Sequence, residues 1–182
     1  MSGFLNINFA RTMPREVSAY SRYGNAEGHS AVKGNYGFSA ATWGTANRVR
    51  FVPLRIVVPC VVTRAWCMNG DAVAGAVSIG VFTLGGTLIV GSTNDTQVNA
   101  NRKQFFELTD TTLAPNLYYI GAKCDSASAT ICDDTKAANM VKLLGGLQAT
   151  GAAGALSGTY TFAVSANAGI PLIGVTLSPR TY

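Results

Sequence analysis

"DTTLAPNLYYIGAKCDSASATICDD", residues 110–134, decides the fold class. Tyr118, Ile120, Ala122 and Cys124 fall on one face of a two-residue repeat, and Tyr119 and Lys123 fall on the other. This is the pattern of a half-buried strand, with Tyr119 and Lys123 expected to face outward. Leu113-Ala114-Pro115-Asn116 reads as a turn into it, because Pro and Asn supply turn dihedrals. Asp110 reads as a turn cap and Asp133-Asp134 as a solvated loop. The stretch carries no convergent catalytic group, so the strand is expected to be scaffold and its function contact.

Outward from this strand, the same alternation recurs. Strands are expected at 49–57, 60–68, 76–83, 87–91, 103–109, 117–124, 128–132, 139–144, 159–165 and 170–177, each bounded by Gly, Pro, Asn or Asp. In "GTYTFAVSA" Tyr160, Phe162 and Val164 alternate with Thr159, Thr161 and Ala163. A helix is expected nowhere except, weakly signalled, at 134–144. Many short strands with regular turns predict an all-β protein, a jelly-roll-like antiparallel β-sandwich of about eight strands. "LLGGLQATGAAGALSGTY", residues 143–160, has no charge, and is expected to be a loop that packs on another subunit or stays flexible.

The composition changes near residue 50. Residues 1–50 carry six Arg and Lys against two Glu, so they hold nearly all of the net charge of +5. They lack sustained periodicity, although "PREVSAYSRYG" has the composition of a short helix. The chain is therefore divided into an extended, largely irregular basic N-terminal arm, 1–48, and a β-sandwich domain, 49–182. Phe4, Phe9, Arg11, Arg15, Tyr20, Arg22, Tyr23, Tyr36 and Trp43 are the candidate partner-binding residues of the arm, since aromatics and Arg are enriched at protein interfaces. Six cations interspersed with glutamates are thin for phosphate neutralisation, so a protein partner is expected rather than nucleic acid. Removal of residues 1–45 is expected to leave a folded sandwich that no longer docks.

Only 13% of the residues are charged and 48% are hydrophobic, against about 25% charged in a typical domain. Apolar surface in excess is covered by a membrane or by neighbouring subunits. Residues 72–94 are uncharged and long enough to span a bilayer, but five glycines dilute them, Val77, Ile79 and Val81 alternate, and Gly85-Gly86 reads as a hairpin turn. Strand, turn, strand is expected, with no membrane span. A homo-oligomer, a trimer first, is expected instead. "MSGFLNINFARTMPREV" has no apolar h-region, so assembly in a cytoplasm is expected.

The residues that carry chemistry are sparse. His29 is the single histidine and lies in the arm, and no G-x-S-x-G or phosphate-cradling glycine pattern accompanies it. Cys60, Cys67, Cys124 and Cys132 form no C-x-x-C pair, so neither a metal nor a cofactor is expected. Buried thiols are the expected state, with a Cys124–Cys132 disulfide open to a particle that leaves the cell. No enzyme activity is expected.

"FVPLRIVVPCVVTRAWCMN" (51–69), "VSIGVF" (77–82) and "DTTLAPNLYYIGAKCD" (110–125) together resemble β-sandwich modules of tailed-bacteriophage virion proteins. Those modules run from a "VP" strand to a "VTR" strand, a "V-x-I-G-V" strand and an "L-x-P-G-x-Y-Y" turn. Asn116 stands in the place of that Gly, and Asn also tolerates positive φ. The resemblance implies a jelly roll that assembles into homotrimers or similar rings on a virion surface, and it carries no catalytic residues. It makes a capsid cement or decoration protein, docked on the major capsid protein or other virion proteins, the first expectation. A tail, neck or fibre component that binds host receptor or glycan is the second.

Overall fold

The structure, a computed structural model, describes residues 15–18, 38–134, 147–165 and 169–179. The expected strand at 139–144 and nearly all of the 134–144 helix lie outside these residues. Among the described residues the chain forms β-strands and no helix. The strands are β1 (Arg15–Ser18), β2 (Phe38–Thr42), β3 (Arg48–Ile56), β4 (Cys60–Met68), β5 (Ala76–Phe82), β6 (Leu88–Gly91) and β7 (Asp95–Thr96). They continue with β8 (Lys103–Leu113), β9 (Asn116–Cys124), β10 (Thr130–Asp134), β11 (Leu147–Thr150), β12 (Ala163–Val164), β13 (Ile170–Pro171) and β14 (Ile173–Pro179).

The pairing is that of a jelly roll. A four-stranded sheet runs β1-β14-β4-β8, and a larger one runs β12-β11-β3-β9-β5-β6, with β7 also on β5. Across the two halves of the chain β1 pairs with β14, β3 with β9, β4 with β8 and β5 with β6, every pair antiparallel. The chain is thus folded in half about the β5–β6 turn and its successive pairs alternate between the sheets, which is two nested Greek keys. A third sheet runs β13-β10-β2. At the fold-back, Gly86 takes φ of 85° and Gly86 N–H donates to the Thr83 carbonyl at 3.1 Å, so residues 72–94 turn as the glycine pair predicts.

The core fills the space between the two main sheets. β3 supplies Val52, Leu54 and Ile56, β5 supplies Val77, Ile79 and Val81, and β9 supplies Tyr118, Ile120, Ala122 and Cys124. Val62, Ala65 and Cys67 of β4, Phe106 and Leu108 of β8, and Val175 of β14 meet them from the opposite sheet. The face assigned to Tyr118 from the sequence is therefore the core face.

Its opposite face is not open. A second cluster of Val49, Phe51, Phe82, Ala149, Leu156 and Tyr160 covers the back of the large sheet, with Tyr119 and Phe162 packed on it. The covering chain is residues 147–162, most of the uncharged 143–160 segment expected to be a loop that packs on another subunit or stays flexible. β11 pairs with β3, Leu156 N–H donates to Ser78 Oγ at 3.1 Å, and Tyr160 N–H donates to the Gly86 carbonyl at 3.0 Å. Ala149, Leu156 and Tyr160 of this segment are buried against the sheet, while Ala152, Ala153 and Ala155 stay exposed. Thr159 makes only a bridge to Thr87, and Val164, expected on the face of Tyr160 and Phe162, is exposed. The 159–165 strand is thus reduced to β12.

Lys123 corrects a second expectation. It lies on the outward side of β9 as its register requires, but its exposure is 0%, and its ammonium donates to the Ala152 carbonyl of the covering segment. Burial pushes its pKa down, opposed by the nearby Asp125 carboxylate.

The boundary at residue 48 cuts through the roll. β1 and β2, both within the supposed arm, pair with β14 and β10. Trp43 has 0% exposure and belongs to the main core, and its backbone N–H donates to the Ala129 carbonyl at 3.0 Å. Trp43 is a core residue rather than a partner-binding one: its large ring gains more from burial in the sandwich than any exposed arm would allow.

Candidate contact surface

Among the described residues Val73, Leu84, Val98 and Val164 are exposed singly, and two further places present large apolar side chains to solvent. The first is the end where the chain crosses between sheets twice. β3 ends at Ile56, which faces Asn116 at the start of β9, and β4 begins at Cys60, which faces Leu113 at the end of β8. Residues 57–59 and 114–115 are therefore neighbouring crossings rather than hairpin turns, since the strands that each one joins lie in different sheets.

Tyr118 fixes the second crossing. Its phenol donates to the Ala114 carbonyl at 3.0 Å, four residues back, which is the hydrogen bond of a tyrosine corner in Greek-key sandwiches. Asn116 does not use positive φ here; its side-chain oxygen accepts the Leu117 N–H at 2.8 Å. Val57 and Val58 stand 68% and 64% exposed, with Ala114, Pro115 and Leu117 exposed beside them. Arg55, exposed and opposite Leu117, is the cation at the rim.

The second place is the outer side of the four-stranded sheet at β8. Phe105 is 44% exposed there, between Lys103 and Glu107 along the strand. The Lys103 ammonium sits 4.5 Å from the centre of the Trp66 ring and 5.6 Å from that of Phe105, a cation–π arrangement. Arg64 and Glu107 pair at 2.9 Å on the same face.

Other charges are spent inside the fold. Arg50, buried on β3, donates to Asp133 Oδ2 at 2.7 Å and to the Gly169 carbonyl at 2.6 Å, tying the large sheet to the third one. Asp133 is thus a buried strand residue, not part of a solvated loop, because the guanidinium compensates its desolvation. Asp110 lies inside β8 rather than capping a turn. Asp125 accepts the Ala76 N–H at 2.7 Å. All four cysteines are free thiols, Cys124 and Cys132 included, so no disulfide joins them. Burial pushes the pKa values of Cys60, Cys67 and Cys124 up, and for Cys67 the neighbouring Cys124 and Cys132 add to the effect. Among the described residues no three His, Cys, Asp or Glu side chains converge on a common metal position. A groove beside β11 is lined by Arg48, Gln148, Ala149, Thr150, Thr161 and Ala163.

Of the arm residues expected to bind a partner, Phe4, Phe9, Arg11, Tyr20, Arg22, Tyr23 and Tyr36 lie outside the described residues, as does His29. Arg15 opens β1 opposite Leu177. The structure instead brings together Val57, Val58, Pro115 and Leu117, which strand reading passed over. The signal was present in "VVP" and "LAP": apolar residues at turn positions that ordinarily carry polar ones. No helix among the described residues is long and apolar enough to cross a membrane. In comparison with known proteins, the chain matches no protein-family model and no curated protein sequence.

Proposed function

We propose that this chain is a non-enzymatic structural protein of a virion, an external cement or decoration subunit that self-associates and docks on the major capsid protein or another virion protein. The observation that carries the reading is a jelly roll whose exposed end is an apolar tip, Val57, Val58, Pro115 and Leu117, on a chain with 13% charged residues. Apolar side chains held on crossings as short as 57–59 and 114–115 fold without cost only if a partner later covers them. The resemblance of residues 50–125 to phage virion modules supplies the setting, and the basic N-terminal segment supplies a second attachment. A trimer is the oligomer that this resemblance favours.

The test is copy number in purified particles, measured by quantitative mass spectrometry against the major capsid protein. Hundreds of copies per particle are the result expected of a cement protein. A dozen or fewer would place the chain at the tail or neck, where a receptor or glycan is the partner. Its absence from particles would overturn both.

A further inference from the structure

The apolar tip and the far end of the roll are the two ends of the same strands. β9 starts at Asn116 at the tip and finishes at Cys124, and β3 and β5 pair antiparallel with it, so both run toward the tip. The nine residues of β9 set the two ends about 27 Å apart. The far end, the base, is built from residues 69–75, 93–102 and 125–129. Hydrogen bonds join these loops into one surface: Asn101 N–H donates to the Gly70 carbonyl at 2.7 Å, Gln97 N–H to the Gly75 carbonyl at 2.9 Å, and Thr130 N–H to the Ala72 carbonyl at 2.7 Å. The Gln97 carboxamide crosses between two of them, accepting the Ala74 N–H at 3.2 Å and donating to Asn69 Oδ1 at 2.9 Å. The base is therefore preformed.

The two ends complement each other. The tip presents Val57, Val58, Pro115 and Leu117, and the segments that form it, 55–59 and 113–117, hold one charged residue, the exposed Arg55. The base presents Val73 and Val98, each alone on its loop at 36% and 43% exposure, and its loops hold Asp71, Asp95 and Asp125 against Arg102. Lys103 and Lys123 border these loops but turn to the outer faces of the two sheets, toward Trp66 and the Ala152 carbonyl. Asp71 and Asp125 are exposed, and each is held in place by one oxygen, which accepts the Thr130 hydroxyl at 3.1 Å in Asp71 and the Ala76 N–H at 2.7 Å in Asp125. Among the described residues neither Arg55 nor these carboxylates take part in an ion pair. Tip against tip would set Arg55 beside Arg55, and base against base would gather carboxylates; only tip against base brings opposite charges together around apolar side chains.

We propose that the tip of one copy docks on the base of the next, with Val57, Val58 and Leu117 against Val73 and Val98, and Arg55 among the carboxylates of Asp71, Asp95 and Asp125. The proposal rests on the self-association in the reading above. The contact is heterologous, since the two subunits use different surfaces, and those surfaces lie at opposite ends of the strands. It therefore stacks subunits, or rings of them, along one axis. A stack leaves tips uncovered at one end only, and that end is the one available to the particle.

A heterologous contact can be cut from either side, and the two cuts complement each other. Val57→Asn with Val58→Asn cuts the tip, and Val73→Asn with Val98→Asn cuts the base. All four positions are exposed, and thermal unfolding checks that both variants keep the wild-type transition. Sedimentation of the full chain at micromolar concentration reads the outcome. The wild type should form species whose mass grows with concentration and shrinks with added salt, which screens exposed charges. Either variant alone should lose that growth. Their equimolar mixture should reach twice the mass that each shows alone and stop there, because one chain keeps its base and the other its tip. Arg55→Glu gives an independent reading at a single exposed position: it should weaken stacking about tenfold, and Arg55→Lys should restore it. A mixture that stays at the mass of its separate components overturns the contact. A tip variant that associates like the wild type also overturns it, assigns the tip to another molecule, and leaves the functional reading standing. A wild-type chain that is monomeric overturns the contact and the self-association together.

Discussion

The two main sheets of this roll leave different aromatic side chains of their outer faces exposed. The large sheet carries Phe51, Phe82 and Tyr119 on its back and covers them with its own residues 147–162, so that Phe51 meets Phe82, Tyr160 and Phe162 edge to face at centroid distances of 5.1, 6.0 and 4.7 Å. On the back of the four-stranded sheet Trp66 is buried at 4% exposure, while Phe105 on the neighbouring strand β8 is 44% exposed. Aromatic content therefore does not tell which face meets a partner. A covering segment that pairs with the same sheet closes a face at high local concentration, so exposure has to be read one side chain at a time.

The hardest way to break this picture is to remove strands from it. Deletion of residues 1–45 takes away β1, β2 and the ring of Trp43, and the product is expected to lose cooperative thermal unfolding, contrary to what the sequence alone suggested. Deletion of residues 1–14 keeps every described strand, and its transition should survive. A cooperative transition in the longer deletion would show that the arm boundary at 48 was right.

Next in size are the rings themselves. Phe51→Ala and Tyr118→Ala should each cost about 3–5 kcal/mol by urea denaturation, as deletions of buried aromatics do. Tyr119→Ala should cost about 1–2 kcal/mol, because Tyr119 is half-buried against Phe51 and Phe162. Phe105→Ala should change the stability of the isolated subunit by less than about 1 kcal/mol. If Phe105→Ala matched Phe51→Ala, the contrast between the two faces would fail.

Gly121→Ala probes the closed face more finely. A Cβ at Gly121 would stand 2.6 Å from the Phe82 ring and 2.7 Å from the Phe51 ring, so the aromatic cluster must shift. Overpacking of this kind should cost about 1–3 kcal/mol, read as a lower denaturation midpoint. A neutral result would mean that the covering segment lifts easily.

The smallest effect is a slope with pH. Cys60, Cys67 and Cys124 have pKa values raised by burial above the ordinary 9.0, so above pH 9 the unfolded chain loses thiol protons that the native chain retains. Stability should therefore fall as pH rises through that range. Lys123 acts the other way: its lowered pKa penalises the native state while it is charged, a penalty relieved as pH rises toward 10.5. Denaturation midpoints between pH 7 and 10, buffer values chosen to bracket these groups, should fall less for Cys67→Ala and more steeply for Lys123→Met.

Much of the roll was legible because its strands alternate. β4 was bounded exactly, and β3, β5, β6 and β9 to within a residue or two, since each buries one face between the main sheets. What escaped detection depended on partners distant in sequence. Trp43 stands outside any periodic run, and its burial depends on strands that follow it. Residues 147–162 have no charge, and their coverage of Phe51 and Phe82 arises from pairing with β3, a hundred positions earlier. Lys123 was given its face correctly, but that face had been assumed to be wet. At the tip, Val57 and Val58 were read as the end of a strand and the start of a turn, where periodicity carries no information about solvent.

The pairing of β1 with β14 also governs how the chain is made. Arg15 pairs with Leu177 and Ser18 with Gly174, so the sheet that contains β4 and β8 stays incomplete until β14 has left the ribosome. β4 then spends the period of synthesis with one edge empty, and contacts of such long sequence separation form slowly. The nascent chain thus has a window, from the emergence of β8 to that of β14, in which any strand offered to β4, including that of a neighbouring chain on the same message, competes with β14.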